Sequence, residues 1–287
     1  MRLLITGSTG FVGANLLHGL YAGHEAHVTV RQGADTWRID SCLPDVAGVW
    51  RTDLADRDAV FDLMANVRPE AVIHVAAYGG LPAQTDKAKM VDGNLNATVN
   101  LLDAAVDNDV AIFINSGSSS EYGVKDQPMR EDDNCQPVNF YGITKLAATN
   151  YCSMVGWATG RRICTLRLFS PYGQFEQPTR LYPSIMDALK RDESPRLSNP
   201  TSVRDFIAVE RVVEVYRSML SAPFDPGGVY NVGSGKQQTL REFVVSLSAG
   251  LGKEHLEPLW GVAQSRKTEP IRWEADTEKL RKLLGDF

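Results

Sequence analysis

Short apolar segments alternate with longer amphipathic segments through the first half of the chain. The apolar segments are rich in Val, Ile and Leu and nearly continuous in hydrophobicity: RLLITG, AHVTVR, AVIHVAA, AIFINSG and ICTLRLF. Such runs are typical of strands buried on both faces of a parallel sheet. Between them the sequence predicts helices over 12–22, 55–66, 94–107 and 139–156. This βαβ rhythm predicts an α/β fold with a Rossmann-type, doubly wound parallel sheet.

The pattern changes after Phe169. The stretches SPYGQFEQPTR and RDESPRLSNPTSVRD are rich in Pro, Ser and charged residues, which is typical of loops. A last strand, VYNVGSG, precedes helices predicted over 240–251 and 277–284. We therefore expect a core domain over 1–168 and a smaller, interwoven C-terminal lid over 169–287, with 206–235 returning to the core.

Composition and charge narrow the class of protein. The chain has 287 residues and a net charge of −5, which disfavours nucleic-acid and acidic-membrane partners. The four cysteines show no CxxC spacing and the five histidines no HxH or HExxH motif, so we predict neither disulfides nor a metal site. The sequence shows no signal-peptide core and no apolar run near the ~20 residues of a membrane span. We expect a soluble cytoplasmic protein.

A glycine-rich loop follows the first predicted strand and opens the first predicted helix. In TGSTGFVG, one glycine permits a tight turn, one lets a pyrophosphate approach the backbone, and one allows close helix–strand packing. The N–H groups and positive dipole end of the helix suit the phosphates. This loop predicts dinucleotide binding by Gly7, Ser8, Thr9, Gly10, Phe11, Val12 and Gly13. The alternative is a purely structural turn.

The end of the second predicted strand bears on the choice of cofactor. An acidic residue is expected there when the adenosine ribose carries free hydroxyls. The strand AHVTVR ends instead in Arg31, whose guanidinium can pair with the 2′-phosphate of NADP and stack on adenine. NADP(H) is therefore favoured over NAD, and a surface arginine is the alternative. Asp53, after the third strand, is placed to accept a hydrogen bond from the adenine amino group.

The segment NFYGITK places Tyr141 and Lys145 four residues apart, on one face of a helix. Free tyrosine has a pKa of about 10, too high for ready proton exchange near neutrality. A neighbouring ammonium stabilises the phenolate and lowers that pKa, so the pair is suited to general acid–base catalysis.

The chain resembles the extended short-chain dehydrogenase/reductase family of nucleotide-sugar epimerases, dehydratases and reductases. The resemblance runs almost from end to end, through TGSTGFVG, TDLAD, VIHVAA, NLNATVNLLDAA, FINSGSSSEYG, YGITK, RLFSPYG, VRDF and YNVGSG, in family order. It implies an NAD(P)-dependent enzyme in which Tyr141 and Lys145 also hold the cofactor. It further implies cofactor contacts at Leu54, Ala76, Ala77, Ser116 and Phe169.

In such proteins the catalytic serine or threonine lies four residues before the tyrosine of the YG pair. Counting back from Tyr122 gives Ser118, which the resemblance expects to bond the reacting sugar carbonyl. Sugar 4,6-dehydratases have acidic residues where this chain has Ser119 or Ser120, so dehydration is disfavoured. The cysteine and histidine of a C3/C5 epimerase are replaced by Ser120 and Arg180, which disfavours that reaction too.

The resemblance also implies a nucleotide-diphosphate site in the later segments. Arg204 and Arg266 are expected to bind the diphosphate and Glu269 a ribose, and paired arginines suit pyrophosphate oxygens. Arg180 is a further candidate contact or a solvated side chain. Residues expected near the hexose are Ala77, Tyr78, Ser119 and Ser170.

These observations lead to one favoured function and two alternatives. Arg31 and the GSS-x-EYG pattern favour NADPH-dependent reduction of a nucleotide-diphospho-4-keto-6-deoxyhexose by an oxidoreductase. The alternatives are a nucleotide-sugar 4-epimerase that retains NAD(P), and a non-catalytic NADP-binding sensor or scaffold. Asn94 is expected to hydrogen-bond around the catalytic helix, and Cys135 to pack without a chemical role.

The resemblance implies a homodimer in which the helix of Tyr141 and the helix near Asn94 form a four-helix bundle. Leu146, Tyr151 and Met154 offer apolar surface for such an interface. They are equally suited to the core of the chain itself. The nucleotide and the hexose are not determined by the sequence.

Overall fold

A computed structural model describes residues 1–263 and 270–285. The strands are β1 (Arg2–Thr6), β2 (Glu25–Val30), β3 (Gly48–Arg51), β4 (Ala71–His74), β5 (Ile112–Ser118), β6 (Arg162–Leu168), β7 (Ser170–Tyr172), β8 (Val203–Arg204), β9 (Phe206–Ala208), β10 (Gly228–Val232) and β11 (Gln238–Thr239). The helices are α1 (Phe11–Leu20), α2 (Arg57–Val67), α3 (Lys87–Val91), α4 (Ala97–Asp107), α5 (Phe140–Thr159), α6 (Leu181–Lys190), α7 (Val209–Met219), α8 (Leu240–Gly250) and α9 (Glu278–Leu284). A π-helical segment, Asp92–Asn96, joins α3 to α4, and a 3₁₀ turn, Ser119–Glu121, follows β5.

The central sheet has the order β10-β6-β5-β4-β1-β2-β3, and every pairing in it is parallel. The chain reverses its direction of winding between β1 and β4, which leaves a crevice beyond the carboxyl ends of these strands. This topology confirms the predicted Rossmann-type α/β fold.

The two faces of the sheet carry separate apolar cores because side chains alternate along each strand. On β1, Leu3 and Ile5 pack with α1 and α7, whereas Leu4 packs with α2 and α4 on the opposite face. Both faces are therefore covered by helices, which explains why the strand sequences are continuously apolar.

Two elements of the core do not follow from the pattern of apolar runs. Strand β3 lies at the sheet edge and alternates half-buried and exposed residues, so its sequence GVWR lacks a continuous apolar run. Helix α7 packs against α1. After it, β10 joins the central sheet beside β6, so a segment distant in sequence completes the core.

A smaller apolar cluster holds the C-terminal part together. It includes Ile185 and Leu189 of α6 and Leu240, Phe243 and Val244 of α8. Two short two-stranded sheets, β7–β9 and β8–β11, connect this part to the end of the central sheet. Within the described residues, no helix is long and apolar enough to span a bilayer.

Candidate active site

The glycine loop between β1 and α1 is packed so tightly that two of its glycines admit no side chain. A Cβ on Gly7, whose φ is +71°, would lie 2.6 Å from the Ala76 backbone, and one on Gly13 would lie 2.1 Å from the Gly7 carbonyl oxygen. Ser8 is buried, and its hydroxyl donates to the Thr29 carbonyl at 3.1 Å. The loop therefore fits the pyrophosphate cradle that the sequence predicts.

The residues expected around the adenosine lie at the solvent edge of this loop. Arg31 and Asp53 are exposed, and one Asp53 oxygen accepts the Ala55 N–H at 3.0 Å. A second arginine, Arg38, lies nearby, but its guanidinium donates to the carbonyls of Thr9 and Phe175. Arg38 therefore joins the glycine loop to the segment after β7, and sequence reasoning missed this role.

Ser118 is the last residue of β5, at the carboxyl end where ligands bind in this fold. Its Oγ accepts the Ser120 N–H at 3.2 Å and caps the short 3₁₀ turn. The hydroxyl of Ser116 forms a hydrogen bond with that of Tyr216 on α7. Ser119 is only 3% exposed. Among the serines, Ser118 is the one that acts on Tyr141, and it lowers the pKa of the phenol.

Tyr141 and Lys145 lie in the first two turns of α5, which begins after the Asn139 side chain caps the Gly142 N–H at 2.8 Å. Burial is the main reason why the pKa of Tyr141 is raised to about 12. Ser118 and Arg180 lower this pKa, and Glu121 raises it. The expected lowering of the phenol pKa by Lys145 is not found. The Lys145 ammonium is buried and faces Glu121 and Cys152, and burial lowers its own pKa. At neutral pH the Tyr141 phenol is therefore protonated.

Asn94 holds the catalytic helix to the loop after β4. Its Oδ1 accepts the Tyr78 N–H at 2.7 Å, and its Nδ2 donates to the Tyr78 carbonyl at 2.8 Å and to Thr144 Oγ1 at 2.9 Å. The residue lies in the π-helical segment, a distortion that often marks functional sites. The structure confirms the predicted hydrogen bonding around the catalytic helix.

A buried histidine extends this network to the sheet. The Thr98 hydroxyl donates to the Asn94 carbonyl at 2.7 Å, so His74 Nε2 must donate to Thr98 Oγ1 at 3.0 Å, and Nδ1 accepts from Thr6 at 2.7 Å. Burial, and to a smaller extent Lys145, lowers the pKa of His74 to about 3. His74 is therefore neutral and acts as a rigid hydrogen-bonding link.

Behind Ser118 lies a buried ion pair that sequence reasoning also missed. Glu121 is completely buried; its Oε1 accepts the Ser118 N–H at 2.7 Å and its Oε2 accepts from Arg167 Nε at 2.7 Å. The Arg167 guanidinium stacks 4.5 Å from the Tyr122 ring, and the Tyr122 hydroxyl donates to Asn231 at 2.7 Å. The signal was present in the motifs: EYG contributes Glu121 and Tyr122, RLF contributes Arg167 and YNVG contributes Asn231.

The residues expected to bind the substrate lie on the loops after β4 and β5 and on the segments that follow β6. Arg180 is 38% exposed, pairs with Glu176 at 3.4 Å, and points Nη1 at the Gly80 carbonyl at 3.5 Å. The Arg204 guanidinium lies 5.7 Å from the Trp273 ring centre. Tyr78 and Ser170 are half-buried and Ala77 is exposed at the strand ends. Arg266 and Glu269 lie outside the described residues.

Asp205, between β8 and β9, organises this region. Its buried carboxylate accepts from the N–H groups of Ser234 at 2.6 Å, Gly235 at 3.1 Å and Ala275 at 2.9 Å. Burial raises its pKa. Asp205 thereby holds the chain near Trp273 against the end of β10.

Cys135 is half-buried and its thiol lies 3.7 Å from the Asp133 carbonyl; burial raises the pKa of the thiol.

The fold and the site together define a class. A Rossmann-type sheet with a glycine-rich loop, and a serine, a tyrosine and a lysine at its carboxyl edge, are the features of an extended short-chain dehydrogenase/reductase. The model of the NAD dependent epimerase/dehydratase family matches residues 3–233. The chain belongs to this family, as its sequence motifs predicted.

Comparison with individual proteins gives relatives of two activities. The chain is 30% identical to a GDP-6-deoxy-D-mannose reductase from Pseudomonas aeruginosa, over 99% of this chain and 91% of the relative. It is 25% identical to a UDP-glucose 4-epimerase from Lactobacillus helveticus, over 99% of this chain and 91% of that protein. Among solved structures, a UDP-glucuronic acid 4-epimerase from Bacillus cereus, in complex with UDP-glucuronic acid and NAD, is 25% identical with a TM-score of 0.85, covering 99% and 93% of the two chains.

Proposed function

We propose that this protein catalyses the NADPH-dependent reduction of the 4-keto group of a nucleotide-diphospho-4-keto-6-deoxyhexose. The observation that carries the proposal is the 30% identity to a GDP-6-deoxy-D-mannose reductase along almost the whole chain. The identity alone does not separate reductase from epimerase, so the chemistry of the site supplies the further support.

The protonation state of Tyr141 favours reduction. When bound, the reduced nicotinamide supplies a hydride to the keto carbon, and the resulting alkoxide needs a proton. Tyr141 is the donor, Ser118 polarises the carbonyl through a hydrogen bond, and Lys145 holds the nicotinamide ribose. Burial raises the pKa of the phenol to about 12, which keeps the proton on Tyr141 at neutral pH. An oxidation would require the phenolate as base instead.

The end of β2 supports NADPH as the reductant. Arg31 stands exposed where an acidic residue would select NAD. Arg38 donates to Thr9 and Phe175 carbonyls and to Gln177 at 2.7 Å, so its donors are committed to the protein. Arg31 is therefore the residue to which we assign selection of the 2′-phosphate.

The substrate class follows from the exposed cations at the carboxyl edge of the sheet. Arg180 lies close enough to Tyr141 to lower the pKa of the phenol, although burial is the larger influence on that pKa. Arg180 is therefore assigned to the sugar end of the substrate, near the reacting carbon. We assign the diphosphate to Arg204 with Arg266, a ribose to Glu269, and the hexose to Tyr78, Ser119 and Ser170. The reductase relative makes GDP the first nucleotide to test.

The deciding experiment measures reduced-nicotinamide consumption with GDP-, dTDP- and CDP-linked 4-keto-6-deoxyhexoses, comparing NADPH with NADH. We expect NADPH consumption with one of these sugars, and none with the Tyr141→Phe variant as control. Consumption with NADH alone would refute the role of Arg31. No consumption with any sugar would refute the reductase assignment.

The 4-epimerase is a second candidate because two relatives with that activity are 25% identical over nearly the whole chain. It predicts NAD that copurifies with the protein and redox-neutral interconversion of two hexoses, for example UDP-glucose and UDP-galactose. A non-catalytic NADP sensor is a third. It predicts cofactor binding with no turnover of any sugar nucleotide.

We further propose a cytoplasmic homodimer that pairs α5 with α4 of each subunit. Helix α5 exposes Ile143, Met154 and Trp157 by 48%, 50% and 72%. Tyr151 instead packs inward and bonds Asp103, so it does not serve the interface. Light scattering tests the proposal: Trp157→Glu should produce a monomer, whereas the distant exposed Trp37→Glu should not. A monomeric wild-type protein would refute it.

A further inference from the structure

A carboxylate at the position before the YG tyrosine lies directly behind the catalytic groups. Glu121 has no exposed surface, and Gly117 packs against it so closely that a Cβ there would lie 2.7 Å from Glu121 Oε1. The two carboxylate oxygens are held by different partners, Ser118 N–H and Arg167 Nε, each at 2.7 Å. A group this buried and this fully bonded has a fixed position.

The contact with Ser118 fixes the backbone of the catalytic serine. Oε1 accepts the N–H of Ser118 while the Ser118 hydroxyl accepts the Ser120 N–H, which forms a reciprocal cap across the 3₁₀ turn. The position of Ser118 at the strand end therefore depends on the Glu121 side chain.

The charge of Glu121 also reaches the proton donor. The groups that act on Tyr141 are the Ser118 hydroxyl, Glu121 from the 3₁₀ turn and Arg180 from the segment before α6, whereas Lys145, one turn along α5, interacts with Glu121 instead. Burial is the largest influence on the phenol pKa, and Glu121 raises it further, whereas Ser118 and Arg180 lower it. Glu121 also raises the pKa of Lys145, against the larger lowering by burial.

We propose that Glu121 is a positioning residue with an electrostatic role: its carboxylate fixes the backbone of Ser118 and places a buried negative charge behind it. Arg167 neutralises the far side of the carboxylate and so makes its burial possible. The proposal rests on the proposed function, in which Tyr141 donates the proton.

The charge is tested by titrating Tyr141 directly, without substrate. In protein labelled with ¹³Cζ-tyrosine, NMR follows the Tyr141 signal, assigned by its loss in Tyr141→Phe. In Glu121→Gln we expect the phenolate fraction of Tyr141 at a given alkaline pH to rise about threefold to tenfold. This corresponds to a titration midpoint lowered by about half a pH unit to one pH unit. The matched control is Glu131→Gln, because Glu131 is half-buried, accepts a backbone N–H at 2.8 Å from Asn231 as Glu121 does from Ser118, and acts on Tyr122 instead of Tyr141.

A second variant keeps the test valid if Glu121→Gln leaves Arg167 unpaired and fails to fold. In Glu121→Gln/Arg167→Met both charges are removed together, a change that buried ion pairs often tolerate. The same lowering of the Tyr141 midpoint is expected. An unchanged midpoint in the folded variants would overturn the electrostatic role.

The contact with Ser118 is tested by comparing Glu121→Gln with Glu121→Ala. Glutamine keeps an acceptor for the Ser118 N–H and alanine removes it, so we expect kcat of the alanine variant to be about tenfold lower than that of the glutamine variant. Equal kcat values would overturn the positioning of Ser118. If no sugar nucleotide is turned over, the proposed function fails, whereas the NMR titration still decides the electrostatic role.

Discussion

Two halves of the active site are built in opposite ways. The half on the central sheet is buried and rigidly bonded: Lys145 is 2% exposed, and Glu121, Asn94 and His74 have no exposed surface. The half on the segments after β6 presents exposed cations, of which Arg180 is 38% exposed and held by a single ion pair at 3.4 Å. The groups to which we assign proton transfer are held by buried neighbours, whereas the cation Arg180, which we assign to substrate recognition, is accessible.

The difference has a physical reason. Proton transfer depends on pKa values, and burial shifts these strongly only where water is excluded and every polar group has a partner. Recognition of a diphosphate needs cations that can exchange water for ligand, and long exposed side chains do this at little cost in stability. Substitutions in the two halves should therefore differ in both kind and size of effect.

The largest expected effect is on the proton donor of the buried half. Tyr141→Phe removes one hydroxyl and should lower kcat on the order of 10³-fold, as expected for loss of a general acid. NADPH binding, measured by fluorescence titration, should be unchanged. A variant with wild-type kcat would show that another group supplies the proton.

The next-largest effect is structural and concerns the link that Asn94 makes between the loop after β4 and helix α5. Asn94→Ala removes the acceptor of the Tyr78 N–H and the donors to Tyr78 and Thr144. Leaving such groups unpaired should lower the free energy of unfolding by about 2–4 kcal/mol, measured with urea. Asn96→Ala is the control, since Asn96 is exposed in the same π-helical segment and bonds only Asp92 Oδ1. Equal losses in the two variants would contradict the role of Asn94.

The buried half should also make the free energy of unfolding sensitive to acid. Burial lowers the pKa of His74 to about 3, so the folded state stays unprotonated while the unfolded state takes up a proton below about pH 6.5. The stability that neutral His74 contributes is complete above pH 6.5 and is lost as pH falls toward 3. Between pH 6.5 and 5 the loss should be about 2 kcal/mol.

His74→Gln should remove this part of the pH dependence, measured as urea unfolding at pH 7 and pH 5. The control is His255→Gln, because His255 is exposed. The same pH dependence in wild type and His74→Gln would exclude His74 as its source.

The smallest effect is expected in the exposed half. Arg180→Ala should raise KM for the sugar nucleotide by about threefold to fivefold, because it removes a cation that we assign to substrate recognition. Arg191→Ala removes a more exposed ion pair, with Glu193, and should leave KM unchanged. An unchanged KM in Arg180→Ala would contradict the distinction between the two halves.

Much of the fold was predictable because its signals are local. Continuous apolar runs predicted β1, β2, β4, β5 and β6, and the glycine loop predicted the turn into α1. No apolar run predicted strand β3, because an edge strand with one exposed face lacks such a run. Strand β10 was predicted from VYNVGSG, whereas helix α7 was not; both complete the core through contacts with β6 and α1 that lie far away in sequence.

The sequence by itself determined the class of protein, since TGSTGFVG, SGSSSEYG and YGITK each combine a local structure with a chemical group. It did not determine the electrostatics of the site. Lys145 was expected to lower the pKa of Tyr141, but the fold turns its charge toward Glu121 and buries the phenol. The pairing of Glu121 with Arg167, 46 residues apart, likewise arises only when β5 and β6 lie side by side. A pKa depends on burial and on distances between charges, and these quantities exist only in the folded chain.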